Sequence, residues 1–247
     1  MAEGRDAFYV GYKPQAEPEL AAWLRRRLLV LLLALPIVAA LLVVGQSRFD
    51  DSTHEFGIVG EYRGRLEAAP YPYLAADAAS DRPRLLVGVG KLGADEVDGM
   101  RGREVRFEGT RIYRDDQEMI EIAPGSVVAE SEQVARAAPG VSGGAVELVG
   151  EIVDSKCYLG VMKPGRGKPH RSCAARCISG GVPPILLVTD SRGERHYLLL
   201  VGEDGRALNS EVLEFVGEPL AIAGEIVEES GLRYLRAEPA AFRRLEG

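Results

Sequence analysis

The feature that most constrains the fold is an internal repeat of one β-strand pattern. Arg101–Ile122 aligns without gaps on Val216–Ala237, at a constant offset of 115 residues. In both copies a strand with an internal glycine is followed by an acidic turn, RDDQ or EESG, and by a second strand, which predicts a β-hairpin. A glycine inside a long strand is typical of a bulge or of a bend at the corner of a barrel. The sequence therefore predicts two copies of one small β domain.

The similarity extends upstream in the same order, which assigns five strands to each copy. Arg84–Gly90 resembles Tyr197–Glu203, and Val59–Leu66 resembles Val149–Lys156. A short helix is predicted at Leu208–Phe215, between the third and fourth strands of the second copy. A five-stranded barrel with a helix at that place resembles the OB-fold, which often binds its ligand with the loop between its first two strands.

A membrane anchor is predicted before the two copies. The run Leu28–Val44 has no charged residue, and apolar residues from Ala21 onward extend it upstream. A bilayer core needs about 20 apolar helical residues. Because Arg25, Arg26 and Arg27 precede the run, the positive-inside rule places the N-terminus in the cytoplasm. We therefore expect a single-pass protein of the bacterial inner membrane with its C-terminal domains in the periplasm.

The alternative to an anchor is a cleaved signal peptide. The long charged region before the apolar run, and the absence of a small-x-small site in VVGQSRF, argue against cleavage. The predicted fold class is thus mainly β, with one N-terminal transmembrane helix followed by two tandem OB-like small β-barrels. The predicted segments are a cytoplasmic tail at 1–24, the transmembrane helix at 25–46, the first barrel at 57–128, a linker at 129–145 and the second barrel at 146–245.

All three cysteines lie in one stretch between the first two strands of the second copy. His170, Cys173 and Cys177 are spaced as i, i+3 and i+7, which is one face of a helix, and Gly180–Gly181 is a suitable helix end. Cys157, at the end of the first strand, would add a fourth ligand. Three thiolates and one imidazole form a tetrahedral set that suits zinc, with copper or an iron–sulfur cluster as alternatives.

The same thiols permit other interpretations. Outside the cytoplasm neighbouring thiols tend to oxidise, so Cys157 could pair with Cys173 or Cys177 in a disulfide. Unpaired structural cysteines and a redox or nucleophilic thiol are further alternatives. Because the first copy has no thiol at the corresponding place, we expect a site-specific role for this stretch more than a purely structural one.

The stretch also resembles a pattern of bacterial membrane-anchored or exported proteins, in which C-Y-L is followed by H-x2-C-x3-C and Gly-Gly-x-Pro. This resemblance covers roughly residues 150–190 and implies a family unit, with no activity to carry over. The matching positions are Cys157, Tyr158, Leu159, His170, Cys173, Cys177, Gly180, Gly181 and Pro183.

Charge and composition narrow the classes of function and partner that the sequence permits. A net charge of −7 and an aromatic content of 6% argue against nucleic acid as a partner. The cysteine stretch is basic in this otherwise acidic chain, and nearby positive charge favours the thiolate form of cysteine. It could also bind an anion or an acidic partner through Lys163, Arg166, Lys168 and Arg171.

We expect an accessory or binding subunit of a membrane-associated, respiratory or redox complex rather than an enzyme, in contact with other membrane protein subunits and the lipid bilayer. The alternatives are a periplasmic copper-handling or thiol-redox protein, and a scaffold protein with a structural disulfide.

Overall fold

The structure is a computed structural model that describes residues 16–48, 52–67, 70–76, 80–131 and 140–245. It divides into two compact units, Met1–Asp50 and Asp51–Gly247. The first 15 residues, which belong to the predicted cytoplasmic tail, and residues 132–139 of the predicted linker lie outside the described residues.

The first unit contains one long apolar helix, α1 (Pro18–Gln46). Its most apolar 18-residue window has a mean hydropathy of 3.1, so the helix is long and apolar enough to cross a membrane. A signal sequence near the N-terminus meets the same criterion. The helix begins before the predicted start at residue 25, because Pro18 is favourable in a first helical turn, where its missing N–H costs nothing.

The described residues of the second unit form β-strands and one further α-helix. The strands are β1 (Thr53–His54), β2 (Gly60–Glu67), β3 (Tyr73–Leu74), β4 (Arg84–Val87), β5 (Glu104–Arg114), β6 (Gln117–Ile122), β7 (Val128–Ala129), β8 (Val141–Asp154), β9 (Pro184–Thr189), β10 (Arg195–Val201), β11 (Pro219–Glu229), β12 (Leu232–Arg236) and β13 (Phe242–Arg244). The helix α2 (Arg171–Ser179) lies between β8 and β9.

Two closed five-stranded barrels are built from these strands. In the first barrel β2 pairs with β3, β3 with β4, β4 with β6, β6 with β5, and β5 again with β2. In the second barrel β8, β9, β10, β12 and β11 close in the same order. In each barrel the third and fifth strands are parallel and the other pairs are antiparallel. The predicted fold class, mainly β with two tandem OB-like barrels after an apolar helix, is confirmed.

The repeated glycine of each copy lies where two strands approach too closely for a side chain. A Cβ on Gly109 would lie 2.6 Å from Ile120 Cγ2 in the neighbouring strand. A Cβ on Gly224 would lie 2.4 Å from the carbonyl oxygen of Arg236. The predicted hairpins follow these glycines as the pairs β5–β6 and β11–β12. The repeat therefore reflects a steric requirement of barrel closure.

Two elements of the second unit differ clearly from their predicted extents. The helix expected at Leu208–Phe215 is only a single 3-10 turn at Leu213–Phe215. The preceding residues are held in another way, since the Asn209 side-chain amide donates to the carbonyl oxygens of Ile178 and Val182, at 2.8 and 3.0 Å. Strand β8 begins at Val141, inside the segment that the sequence assigns to the linker.

The two barrels share one buried core. A single cluster of buried side chains contains Val87 and Met119 of the first barrel together with Leu159 and Ile185 of the second. Hydrogen bonds cross the same boundary, because the Tyr71 hydroxyl donates to the carbonyl oxygen of Leu200 at 2.8 Å. Burial of apolar surface between the barrels stabilises their arrangement.

A buried ammonium group joins the two barrels beside the cysteines. Lys156, which is 2% exposed, donates to the carbonyl oxygens of Gly88 and Gly90, at 2.7 and 2.8 Å. It also forms an ion pair with Glu121 of β6. A buried cation is tolerated only with such partners, so the strand end that carries Cys157 is bound to the first barrel.

We predict that Lys156→Met lowers the free energy of unfolding by about 3 kcal/mol, because it leaves Glu121 and two carbonyl groups without their buried partner. Urea unfolding of the full chain in detergent measures this change. Lys163→Met is the matched control, since Lys163 is exposed, and it should alter stability by less than about 0.5 kcal/mol. Equal effects of the two substitutions would contradict a stabilising role for the Lys156 contacts.

Candidate metal centre

The cysteine loop (Cys157–Cys177) begins where β8 ends. After Asp154 the chain enters a short π-helical turn at Cys157–Val161, and the Cys157 backbone N–H donates to Asp154 Oδ1 at 2.7 Å. A Cβ on Gly160 would lie 2.3 Å from the carbonyl oxygen of Thr53, so only glycine fits where this turn packs on β1. The carboxylate and the close packing together define the position of Cys157.

The other two cysteines lie on α2, as their spacing predicts. Cys173 and Cys177 are one helical turn apart on this helix. The helix ends at Gly180, whose N–H bonds back to the carbonyl oxygens of Arg176 and Cys177 at 3.2 and 3.1 Å. Gly181 follows with φ of +100°, a backbone conformation that favours glycine. The predicted Gly-Gly helix end is therefore present.

The structure brings the three thiols together. The Sγ atoms of Cys157, Cys173 and Cys177 all lie within 4.8 Å of one another, and Cys157 Sγ is 3.9 Å from Cys177 Sγ. Two sulfur ligands of a tetrahedral zinc with bonds of about 2.3 Å are about 3.8 Å apart. All three are free cysteines at these distances. Cys157 and Cys177 are buried, and Cys173 is partly exposed.

His170 lies beside Cys157 in a second group of possible ligands. This group contains Asp154, Cys157 and His170, whose ligand atoms lie within 4.8 Å of one another. His170 is 4% exposed, and its Nε2 lies 3.0 Å from Asp154 Oδ2. The four predicted ligands thus divide between two groups that share Cys157. The sequence interpretation missed Asp154, although a carboxylate three residues before Cys157 was a local signal for it.

The first barrel also contributes a residue to the site. Lys91 Nζ lies 2.8 Å from Cys173 Sγ and 3.7 Å from Cys177 Sγ. It belongs to the glycine loop (Gly88–Gly93), which directly follows β4 of the first barrel. No local pattern could indicate this contact, because it joins residues 82 positions apart in different barrels.

Glycines permit the close approach of the glycine loop to α2. The Gly93 N–H donates to the carbonyl oxygen of Gly180 at 2.7 Å. A Cβ on Gly180 would lie 1.9 Å from the Lys91 carbonyl oxygen, and one on Gly93 would lie 2.8 Å from that of Gly181. Lys91 therefore reaches the thiols because these backbones touch.

The electrostatics favour one thiolate in the cluster. The hydrogen bond from Cys157, supported by the positive charge of Lys91, lowers the pKa of Cys177 to about 7. The same hydrogen bond and burial raise the pKa of Cys157, which remains the proton donor of the pair. The hydrogen bond to Cys173 raises the pKa of Lys91, so its ammonium stays charged. Of these two thiols, Cys177 therefore loses its proton more readily and is better able to bind a cation.

The predicted basic residues have different surroundings. Lys163, Arg166 and Lys168 are exposed. Arg171 forms an ion pair with Glu218 and donates to the carbonyl oxygen of Glu214 at 3.0 Å. Arg171 is therefore engaged within the second barrel, and anion or partner binding by the other three stays a prediction.

Comparison with known proteins adds little to this geometry. No family model matches the chain, and no curated protein matches it. Among solved structures, the chain is similar to a deletion mutant of the single-stranded DNA binding protein from Thermus aquaticus. The two are 15% identical, the match covers 80% of this chain and 88% of that chain, and the TM-score is 0.24. A likeness of this size supports no inference about function.

We predict that the metal-free protein forms a thiolate with a midpoint near pH 7, because the pKa of Cys177 is lowered to about 7. The thiol form should predominate below this pH and the thiolate above it. Ultraviolet absorbance of the thiolate, followed during a pH titration, measures the midpoint. Cys177→Ser should abolish this step, and a first ionisation no lower than about pH 8.5, the value of an ordinary cysteine, would contradict the assignment.

Proposed function

We propose that this protein is a membrane-anchored binding subunit whose second barrel holds one zinc ion. The proposed ligands are Cys157, Cys173 and Cys177, with His170 as the fourth. The observation that carries the proposal is the convergence of three thiols from two separate elements, the turn that follows β8 and the helix α2, within 4.8 Å.

The donor set and its spacing support zinc. Thiolate and imidazole are the ligands that structural zinc prefers, and the Cys157–Cys177 sulfur distance of 3.9 Å is close to that across a tetrahedral zinc. Zinc with three thiolates carries a net charge of −1, which the ammonium of Lys91 beside Cys173 would offset. The same donors could also hold copper or an iron–sulfur cluster.

The burial of the site supports a binding role. Cys157 and Cys177 are 4% and 1% exposed, and His170 is 4% exposed. Only Cys173 among the proposed ligands is partly exposed. A closed set of four ligands leaves no open position for a substrate, so the ion would be held as part of the fold.

The apolar helix supports attachment to a membrane. We infer that α1 anchors the protein in the bacterial inner membrane, with Arg25, Arg26 and Arg27 on the cytoplasmic side and the barrels in the periplasm. Such an anchored domain pair would serve as an accessory subunit that binds other subunits of a membrane-associated complex. The exposed Lys163, Arg166 and Lys168 are available to acidic partners.

A second candidate is a thiol-redox or copper-handling protein. It is favoured by the partly exposed Cys173, whose sulfur lies 2.8 Å from the Lys91 ammonium, and by the lowered pKa of Cys177. A nearby cation and thiolate character are the features that make a cysteine reactive. The metal content of the protein distinguishes the two candidates.

We predict that the full chain, purified in detergent, contains about one zinc ion per molecule, as a single closed site requires. Elemental analysis measures the ion, and Cys173→Ser should remove or weaken it. Ser172→Ala is the matched control, because Ser172 lies on the same helix and is exposed. Copper in place of zinc would favour the second candidate. Absence of metal, together with one disulfide and one free thiol by titration, would overturn the proposal.

We predict that the uncleaved chain stays in the membrane fraction after an alkaline wash, because α1 is retained as an anchor. A reporter that is active only outside the cytoplasm, fused after Gly247, should be active. N-terminal sequencing of the mature protein is the control for cleavage. A shortened, soluble chain would instead identify the apolar helix as a signal peptide, and an inactive reporter would reverse the orientation.

A further inference from the structure

We infer that Asp154 is a positioning residue that holds His170 in one tautomer, with the proton on Nε2, so that Nδ1 is the nitrogen that binds the metal. This inference rests on the proposed function, since it concerns the fourth ligand of the same site. It assigns a role to the buried carboxylate of Asp154, a residue that the spacing of the cysteines and the histidine in the sequence did not identify.

Asp154 contacts two of the four proposed ligands at once. It is the last residue of β8 and is 0% exposed. One oxygen, Oδ1, accepts the backbone N–H of Cys157 at 2.7 Å. The other oxygen, Oδ2, lies 3.0 Å from Nε2 of His170. A single side chain therefore connects a sulfur ligand at the strand end with an imidazole 16 positions along the chain.

The chemistry of this contact determines the tautomer. An ionised carboxylate can only accept hydrogen bonds, so the imidazole nitrogen that faces it must carry a proton. In a neutral imidazole the other nitrogen then has a free lone pair. With Nε2 bound to Asp154, that nitrogen is Nδ1. Histidine ligands of metals usually donate their second ring N–H to a carboxylate in this way, which fixes the ring and makes it a stronger ligand.

The position of His170 suits this role. One nitrogen of its ring and Cys157 Sγ belong to one group within 4.8 Å, so the imidazole lies beside Cys157. The competing arrangement is a doubly protonated His170 in a buried ion pair with Asp154. Both of its nitrogens would then carry protons, and the residue could not bind a metal. The two arrangements differ in one observable property, the protonation of Nδ1.

The chain contains a matched control for the contact. His196 Nε2 lies 3.5 Å from Asp190 Oδ2 in the same barrel, and both side chains are about one-third exposed. This second carboxylate–histidine pair belongs to neither group of possible ligands. Substitution at Asp190 therefore tests the general effect of removing such a carboxylate from the second barrel.

The test begins with zinc affinity, measured by competition with a chromophoric chelator on the full chain in detergent. Asp154→Asn keeps the size of the side chain and removes its charge, and it should weaken zinc binding 10- to 100-fold. Asp190→Asn should leave the affinity unchanged. In a His170→Ala background most of the effect of Asp154→Asn should disappear, because the carboxylate acts through the imidazole. An undiminished effect in that background would overturn the inference.

A second measurement uses the wild-type chain, so it does not require that a substituted chain folds. Nitrogen NMR of the wild-type chain loaded with cadmium-113, a spin-active substitute for zinc, should show coupling between the metal and Nδ1 of His170 and a proton on Nε2. Coupling to Nε2, or none to His170, would overturn the inference even if three thiolates hold the metal. A wild-type chain that binds neither zinc nor cadmium would instead overturn the proposed function.

Discussion

The buried ammonium of Lys156 connects the two barrels at the point where the cysteine loop begins, and the thiol site depends on that contact. Its hydrogen bonds to Gly88 and Gly90 hold the glycine loop of the first barrel against the second. The same loop brings Lys91 to Cys173. A charge this deeply buried is costly without partners, so the arrangement of the barrels and the geometry of the site are linked energetically.

The cysteine loop also packs against the first barrel, which the duplication alone did not reveal. Its absence from the first copy indicated a site-specific role more than a structural one. The structure adds a structural role, because Gly160 packs on Thr53 and Tyr158 stacks under Arg114, at 4.3 Å from the guanidinium carbon to the ring centre. The loop therefore contributes packing contacts to both barrels in addition to carrying the candidate ligands.

Local patterns made much of the fold and part of the site predictable. The paired strands around Gly109 and Gly224 were recognisable because alternation, turns and close strand contacts are properties of short segments. The helix with Cys173 and Cys177 followed from its spacing and its glycine end. The helix expected at Leu208–Phe215 is only a short turn, because tertiary hydrogen bonds from Asn209 replace helical ones.

The sequence by itself determined the apolar N-terminal helix, the repeated five-stranded pattern and four of the residues able to bind a metal. Only the tertiary structure decided which groups meet at those residues. It placed Asp154 against His170, and Lys91 of one barrel against Cys173 of the other. The physical reason is the sequence separation of the contacts. The periodicity and spacing of residues report contacts within one helix or one pair of neighbouring strands. The surroundings of a thiol or an imidazole instead depend on the packing of distant backbones, here through glycines that let two loops touch.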